Sequence, residues 1–314
     1  MNKEETIFVA GHRGLVGSAL MRRLDQGGYK NIITRTHNQL DLTNQEETNT
    51  FFKKYRPAYV LLAAAKVGGI GANSTYPAEF YYQNTMIATN VIHISFKTGV
   101  KKLVNLGSSC IYPKLAPQPL KEDYFLSSPL EPTNEAYAIA KISAIKMCKH
   151  YNNQYGTDYI SLMPTNLYGP GDSYDPDNSH VLPALIRKID LAKQTGDPVI
   201  LWGNGSPRRE FLYSDDLADA AVFLLENYSY KQIGEFVNIG WGKDISIKEL
   251  AQLISEIIGY EGKIEWDTSR PNGTQVKRLD ISRLTTLGWN PTTTLREGIN
   301  KTFLDYSLNR GESI

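Results

Sequence analysis

The chain has 314 residues, of which 41% are hydrophobic and 21% charged, a size that suits one large domain or two closely joined ones. Its 34 lysines and arginines nearly balance 33 aspartates and glutamates, so no overall positive field would attract nucleic acid or an anionic membrane. The longest apolar run, residues 58–65, is far shorter than the roughly 20 residues of a spanning helix. These features exclude the nucleic-acid-binding and membrane classes.

The chain carries two cysteines, Cys110 and Cys148. Two cysteines are too few for a disulfide framework, and their spacing does not match a metal site. The first residues are polar and lack the apolar segment and cleavage site of a secretory leader. We therefore expect a cytoplasmic protein that binds no metal.

Short apolar strands alternate with helices along the first half of the chain. A strand at residues 6–10 breaks at Gly11, and helical spacing follows from Leu15 to Leu24. The alternation continues with strands at residues 31–34, 59–63, 102–106 and 159–163 and with helices at 45–55, 78–98 and 135–155. Because such alternation is typical of βαβ units, we predict an α/β protein with a Rossmann-type, doubly wound parallel sheet.

The pattern changes after Pro164. Residues 168–179 are rich in Gly, Pro, Asp and Asn and predict a loop that leaves the sheet layer. Helices at 181–195, 215–227, 247–259 and 295–308 and strands at 199–202 and 235–239 follow. We predict a dinucleotide-binding domain of residues 1–168 joined by 211–242. Residues 169–210 and 243–314 form a smaller mixed α/β substrate lobe, with a ligand cleft at the carboxyl ends of the parallel strands.

A glycine-rich turn joins the first strand to the first helix. Residues 11–17 are Gly-His-Arg-Gly-Leu-Val-Gly, and glycines in such a turn let the backbone approach a pyrophosphate at a helix N-terminus. The second strand ends in Thr-Arg-Thr-His at residues 34–37, without the acidic residue that favours NAD. Because cations there suit a ribose 2′-phosphate, we predict NADP(H) as the cofactor, with Arg13 and Arg35 as candidate phosphate ligands.

A Tyr-x-x-x-Lys pair, Tyr137 and Lys141, places both side chains on one face of the predicted helix at residues 135–155. A phenol titrates near about pH 10 and needs a nearby cation before it can act as an acid or base at neutral pH. Lys141 is the candidate cation. The fourth strand runs into Ser108 and Ser109, whose hydroxyls could hold a substrate carbonyl. Together with the glycine-rich turn, this order of motifs indicates a dehydrogenase.

The chain resembles the extended short-chain dehydrogenase/reductase family, and within it the enzymes that act on GDP-linked 4-keto-6-deoxymannose. The resemblance rests on the glycine-rich turn, the Tyr137 and Lys141 pair, and motifs at residues 63–70, 107–113, 131–135, 164–170, 178–180 and 209–211. In those enzymes the keto sugar is epimerised at carbons 3 and 5, and its ketone is then reduced by hydride from NADPH. The resemblance therefore implies a bifunctional, NADP-dependent epimerase and reductase.

The resemblance also implies roles for individual residues. Because inversion needs a base on one face and an acid on the other, Cys110 is the expected base and His180 the expected acid. Tyr137 protonates the oxygen at carbon 4, Lys141 holds the nicotinamide ribose and Ser108 binds the carbonyl. The cofactor contacts that the resemblance implies are Gly11, His12, Arg13, Gly14, Leu15, Val16, Gly17, Arg35, His37, Asp41, Leu42, Leu106, Gly107, Ser108, Lys141, Pro164, Asn166, Leu167 and His180.

The second lobe offers cations and an aromatic side chain for the GDP group. These residues are Lys188, Trp202, Arg208, Arg209, Lys277 and Arg278. The resemblance assigns substrate contacts to Lys188, Trp202 and Arg209, and adds Asp280. His37 departs from the family, which has a second arginine soon after Arg35, and this weakens the NADP prediction. The helices at residues 78–98 and 135–155 pair with their copies in the family, so we expect a homodimer. We expect Cys148 to be a packing residue.

Two other interpretations stay open at the level of the sequence. The first is a sugar-nucleotide dehydratase or 4-epimerase that regenerates NAD within each turnover. A dehydratase needs an acidic residue just after the strand-end hydroxyl, where this chain has Ser109 and Cys110, and a 4-epimerase would consume no NADPH. The second is a noncatalytic NADP-binding regulator, which would not need Ser108, Tyr137 and Lys141.

Overall fold

A computed structural model of the protein describes residues 1–176, 179–269, 272 and 274–309. Asn178, part of one family motif, lies outside the described residues. In chain order the strands and helices are β1 Ile7–Ala10, α1 Leu15–Gln26, β2 Ile32–Ile33, α2 Gln45–Tyr55, β3 Tyr59–Leu62, α3 Ile70–Thr75, α4 Pro77–Thr98, β4 Lys102–Leu106, α5 Glu135–Tyr155, β5 Tyr159–Pro164, β6 Asn166–Tyr168, α6 Val181–Thr195, β7 Val199–Trp202, β8 Arg208–Tyr213, α7 Ser214–Asn227, α8 Tyr230–Ile233, β9 Val237–Ile239, β10 Asp244–Ser246, α9 Ile247–Ile258, β11 Ile264–Asp267, β12 Val276–Lys277, α10 Ser282–Thr286 and α11 Leu295–Asn309.

The main sheet has six parallel strands in the order β2-β1-β3-β4-β5-β9. Successive side chains of a strand point to opposite faces, and β1 shows the result. Ile7 and Val9 join a core that includes residues of α1 and α7, whereas Phe8 and Ala10 join a core that includes residues of α2 and α4. Helices therefore cover both faces of the sheet, which confirms the Rossmann-type α/β fold.

The smaller lobe contains the strands outside the main sheet. One group has the order β10-β8-β12, with β6 also paired to β8, and β7 pairs with β11. The apolar faces of α6, α9 and α11 pack on these strands in a core of their own. Because β8 runs directly into α7 and then β9, the chain returns from this lobe to the main sheet.

The structure agrees with most predicted elements and corrects several. The helix at 181–195 and the strand at 199–202 have the predicted bounds, whereas the strand at 31–34 shortens to two residues. The predicted loop at 168–179 overlaps the end of β6. The strands β6, β8, β10, β11 and β12 and the short helices α3, α8 and α10 were not predicted. Short strands with charged residues carry little hydrophobic alternation, and pairing with a neighbour is what defines them.

The longest of the described helices, α4 and α5, have 22 and 21 residues and pack against each other. Across the described ranges, no helix has both the length and the apolar character needed to cross a lipid bilayer. The described residues also contain no group of three or more His, Cys, Asp or Glu side chains placed to hold a metal ion.

Candidate functional site

The glycine-rich turn forms a tight cradle at the start of α1. Gly11 has a φ of +83°, and a Cβ at Gly17 would lie 2.0 Å from the Gly11 carbonyl oxygen. The Gly14 N–H donates to the same oxygen at 3.1 Å. Gly14 is also the N-cap of α1 and offers no side-chain cap, so the amides of the first helical turn are left to bind an anion. This cradle fits a dinucleotide pyrophosphate.

Arg35 follows β2 beside this turn. Its guanidinium donates to the Thr34 carbonyl at 2.7 Å and to the Tyr55 hydroxyl at 2.6 Å. It also lies 4.8 Å from the centroid of the Tyr55 ring. Burial and then Arg13 lower the pKa of His12, and the Arg35 backbone opposes them. Arg35 is thus oriented by its own contacts just after β2, whereas Arg13 lies in the glycine-rich turn.

The remaining predicted cofactor residues lie at or near strand ends. Exposed His37 has its Nδ1 3.9 Å from the Asp41 carboxylate, and the backbone oxygen of Leu42 accepts from Asn90. Leu106 and Pro164 end β4 and β5, and Gly107 follows β4, so these residues lie at the shared carboxyl edge of the main sheet. Asn166 and Leu167 lie in β6, which pairs with β8 outside the main sheet.

Ser108 lies at the centre of the predicted catalytic residues. It follows β4 in extended conformation and caps the short turn Ser109–Ile111, where its oxygen accepts from the Cys110 N–H at 3.4 Å. The Tyr137 phenol and the Cys110 thiol lie close enough to its hydroxyl for that hydroxyl to oppose the rise in their pKa values. From α5, the Lys141 ammonium donates to the Leu106 carbonyl at 2.9 Å. The predicted reductase residues Ser108, Tyr137 and Lys141 and the predicted base Cys110 therefore lie together at the carboxyl end of β4.

Burial sets the protonation of the Tyr137 and Lys141 pair. Burial raises the pKa of Tyr137, Cys110 raises it further, and the nearby Ser108 hydroxyl opposes both effects. Burial lowers the pKa of Lys141 to about 8. The Lys141 ammonium lies 5.6 Å from the centroid of the Tyr137 ring, and the buried Phe80 meets that ring edge-to-face at 6.2 Å. The phenol therefore keeps its proton at neutral pH, as a proton donor must.

Cys110 and His180 have a common neighbour, Lys277. Burial raises the pKa of the Cys110 thiol, and Lys277, Ser108 and Lys141 oppose this in that order of strength. Burial lowers the pKa of His180, and Lys277 lowers it further. Water reaches the His180 side chain, but the surrounding cleft displaces enough solvent to disfavour its charged form. The structure thus places the predicted base and acid within electrostatic reach of one lysine, whose own pKa is lowered by burial.

The predicted substrate residues differ in their surroundings. Trp202 is 64% exposed, with the Lys188 ammonium 5.9 Å from its ring centroid, so it is not a core residue of the lobe. The Arg209 guanidinium donates to the Arg208 and Thr274 carbonyls. The Asp280 carboxylate accepts from the N–H and hydroxyl of Ser282. Trp202, Lys188 and Arg209 therefore offer an aromatic face and cations to a nucleotide.

Some contacts that support this site were not predicted from the sequence. Lys277 was grouped only with the nucleotide-binding cations. Glu210 is fully buried, and its carboxylate accepts from the Gly242 and Leu279 N–H groups at 2.7 Å each. The Arg209-Glu210-Phe211 motif was the available signal for Glu210, because a glutamate in an apolar strand needs buried partners. Such partners come from distant parts of the chain, which spacing does not reveal.

Comparison with known proteins identifies the family. The sequence profile of the NAD dependent epimerase/dehydratase family matches residues 7–240. The chain is 56% identical to GDP-L-fucose synthase 1 of Arabidopsis thaliana, over 98% of this chain and 95% of that protein. It is 48% identical to the GDP-L-fucose synthase of Escherichia coli strain K12, over 96% of each. A GDP-mannoheptose C4 reductase from Campylobacter jejuni with NADP bound is 39% identical and superposes with a TM-score of 0.91, over 98% of this chain and 99% of that one. The chain therefore belongs to the NAD dependent epimerase/dehydratase family.

Proposed function

We propose that this protein converts GDP-4-keto-6-deoxy-D-mannose to GDP-L-fucose by epimerisation at carbons 3 and 5 and NADPH-dependent reduction at carbon 4. The relatives named GDP-L-fucose synthase, identical at 48% and 56% of positions over nearly the whole chain, support it. The observation that carries it is the buried Cys110 beside Ser108, close to Tyr137 and Lys141. A plain 4-reductase or 4-epimerase needs no such second acid-base group.

We assign the cofactor and the substrate to different lobes. We propose that residues 1–168 and 211–242 hold NADPH, and that residues 169–210 and 243–314 hold the GDP-sugar. The glycine cradle fits the pyrophosphate, and Arg13 and Arg35 fit the 2′-phosphate. Bound NADPH supplies the hydride for reduction.

In the reduction, Tyr137 is the proton donor. Its high pKa keeps the phenol protonated, and Ser108 can hydrogen-bond to the same carbonyl oxygen because its hydroxyl lies near the phenol. Lys141 holds a ribose hydroxyl and adds positive charge near the oxygen where negative charge develops. General acid catalysis of this kind contributes about 10²- to 10⁴-fold.

In the epimerisation, Cys110 takes a proton from the carbon next to the ketone, and His180 returns one to the opposite face. The ketone oxygen takes up the negative charge, where Tyr137 and Ser108 hydrogen-bond to it. Carbons 3 and 5 flank the same carbonyl, so one set of groups serves both inversions. Cys110 acts as the base only as a thiolate.

We also propose a homodimer that acts in the cytoplasm. Support for the dimer comes from large apolar side chains that are exposed on the adjacent helices α4 and α5, namely Tyr81, Tyr82, Ile139 and Tyr155, because exposed apolar surface is typical of interfaces. Support for the compartment comes from the two cysteines, which are unpaired thiols.

Two variants test the function by separating its two half-reactions. Cys110→Ser should slow the exchange of substrate hydrogens with deuterated water by about 10²- to 10⁴-fold. Tyr137→Phe should lose NADPH oxidation by a similar factor, with NADPH affinity preserved, and should slow that exchange much less, because Ser108 still hydrogen-bonds to the ketone oxygen. The matched control is Cys148→Ser, which alters a thiol buried away from the cleft and should leave both half-reactions intact. Unchanged exchange in Cys110→Ser would contradict the assignment of the base.

A further inference from the structure

Asn238 is a fully buried polar residue of β9 to which the mechanism above gives no role. Its side-chain oxygen accepts a hydrogen bond from the Tyr112 hydroxyl at 2.6 Å. Its side-chain nitrogen donates to the Leu120 carbonyl at 3.0 Å and to the Asp280 carbonyl at 3.1 Å. Buried polar groups need such partners, and here they come from distant parts of the chain. One amide therefore joins β9 to three other positions.

The first of these partners, Tyr112, belongs to the strand end that carries the thiol. It follows directly after the turn Ser109–Ile111, which contains Cys110. Its ring is buried and meets the Phe236 ring edge-to-face, with the ring centroids 6.3 Å apart. The hydrogen bond to β9 and this packing hold the backbone two residues beyond the thiol. The position of Cys110 therefore depends on a contact with the next strand but one of the main sheet.

The other two partners connect the same amide to the smaller lobe. The Leu120 N–H donates to the Arg278 carbonyl at 2.8 Å, and the Asp280 N–H donates to the Leu120 carbonyl at 2.9 Å. These residues follow β12, in which Lys277 pairs with Arg209 of β8. Arg209 is one of the residues that we propose to bind the GDP group. A continuous set of hydrogen bonds thus runs from the turn that carries the thiol to the strands that carry the nucleotide-binding arginine.

We propose that Tyr112 and Asn238 are positioning residues for the epimerisation, because their hydrogen bond fixes Cys110 relative to a sugar held by the smaller lobe. This inference rests on the proposed function. A base must meet the substrate carbon closely, and a misplacement of about 1 Å can cost about 10²-fold in rate. Tyr137 and Lys141 come from α5, which takes no part in these hydrogen bonds, so reduction depends on them less than epimerisation does.

The mildest test is Tyr112→Phe, which removes one hydroxyl and keeps the buried ring. At saturating substrate, the exchange of substrate hydrogens with deuterated water should slow about tenfold, because the base is held less well in place. The KM for the keto sugar and the affinity for NADPH should stay nearly unchanged. Oxidation of GDP-L-fucose at carbon 4 by NADP, followed in a single turnover, needs no epimerisation and should keep its normal rate.

Tyr260→Phe is the matched control for lost stability. It removes another buried tyrosine hydroxyl, which donates to the Asp197 and Lys263 carbonyls at 2.9 and 3.1 Å. This contact lies near the start of β7, whereas Trp202 ends that strand. Tyr260→Phe should lower the free energy of unfolding in denaturant and leave hydrogen exchange at the normal rate. If it slows exchange as much as Tyr112→Phe does, lost stability explains both effects and the proposal is wrong.

A double-variant cycle tests whether the Tyr112 hydroxyl acts through Asn238. Adding Tyr112→Phe to Asn238→Ala should slow exchange no further, because the partner of the hydroxyl is already gone. Independent, multiplying effects would overturn the proposal, as would a normal rate of exchange in folded Tyr112→Phe, which decides the question alone if Asn238→Ala does not fold. The proposed function has its own variant: normal exchange in Cys110→Ser refutes Cys110 as the base, whereas normal exchange in Tyr112→Phe alone refutes only the positioning role.

Discussion

Replacing Arg35 tests how the protein distinguishes NADPH from NADH. The guanidinium is oriented by the Thr34 carbonyl and the Tyr55 hydroxyl and lies against the Tyr55 ring, so it is already placed to meet a phosphate. Hydrogen bonds to charged groups contribute about 1.5–3 kcal/mol. Arg35→Ala should therefore weaken NADPH binding by roughly 10- to 150-fold and leave NADH binding nearly unchanged, as measured by calorimetric titration of both cofactors.

Two neighbouring variants show whether the orientation of Arg35 or general positive charge is responsible for the preference for NADPH. Tyr55→Phe keeps the ring under the guanidinium but removes the 2.6 Å contact, so its effect on NADPH should be smaller, about 1 kcal/mol. Lys54→Ala removes a cation 5.1 Å from the same ring centroid and should alter both cofactors slightly and equally. If Arg35→Ala weakens NADH as much as NADPH, then Arg35 does not bind the 2′-phosphate and the reasoning is wrong.

Three further predictions concern the cradle, the lysine and the substrate lobe. Gly17→Ala should reduce NADPH affinity more than tenfold and destabilise the fold by about 1–3 kcal/mol, because its Cβ would lie 2.0 Å from the Gly11 oxygen. Gly14→Ala, whose Cβ would lie 3.6 Å from the Gly11 carbonyl oxygen, should fold normally. Equal stability of the two variants would refute the steric argument. Because the pKa of Lys141 is lowered to about 8, its cation is present below that pH and lost above it, so kcat/KM for reduction should fall as pH rises through 8. In Lys141→Arg, kcat/KM should no longer fall over this pH range. A fall that persists would mean that another group titrates there. Trp202→Ala should raise the substrate KM while unfolding free energy changes by less than about 0.5 kcal/mol, since the ring is 64% exposed; an unchanged KM would remove Trp202 from the binding surface.

The local features of this protein follow from its sequence, and the long-range ones do not. The helix at 181–195 could be bounded because its apolar spacing is regular and Gly196, with a φ of +80°, ends it. The glycine cradle and the Tyr137–Lys141 pair could be recognised because their spacing and their order along the chain are specific together. By contrast, β12 has two residues and exists through pairing with β8, so no pattern along the chain predicts it. The position of Lys277 beside Arg209 depends on that pairing, so spacing along the chain could not place it.

The same distinction applies to protonation. The sequence suggests that Lys141 supports Tyr137, but burial is the largest influence on both pKa values. Burial depends on how α5 packs against the end of β4, which composition does not reveal. The resulting states, a protonated phenol and a lysine titrating at about pH 8, are consequences of the fold.

The most direct test of the account is turnover of GDP-4-keto-6-deoxymannose with NADPH in deuterated water, followed by mass analysis of the nucleotide sugar. We expect GDP-L-fucose carrying solvent deuterium at both carbon 3 and carbon 5, with one NADPH oxidised for each product formed. Oxidation of NADPH to give a product without deuterium at those carbons would describe a plain ketoreductase and would contradict the epimerase role of Cys110 and His180.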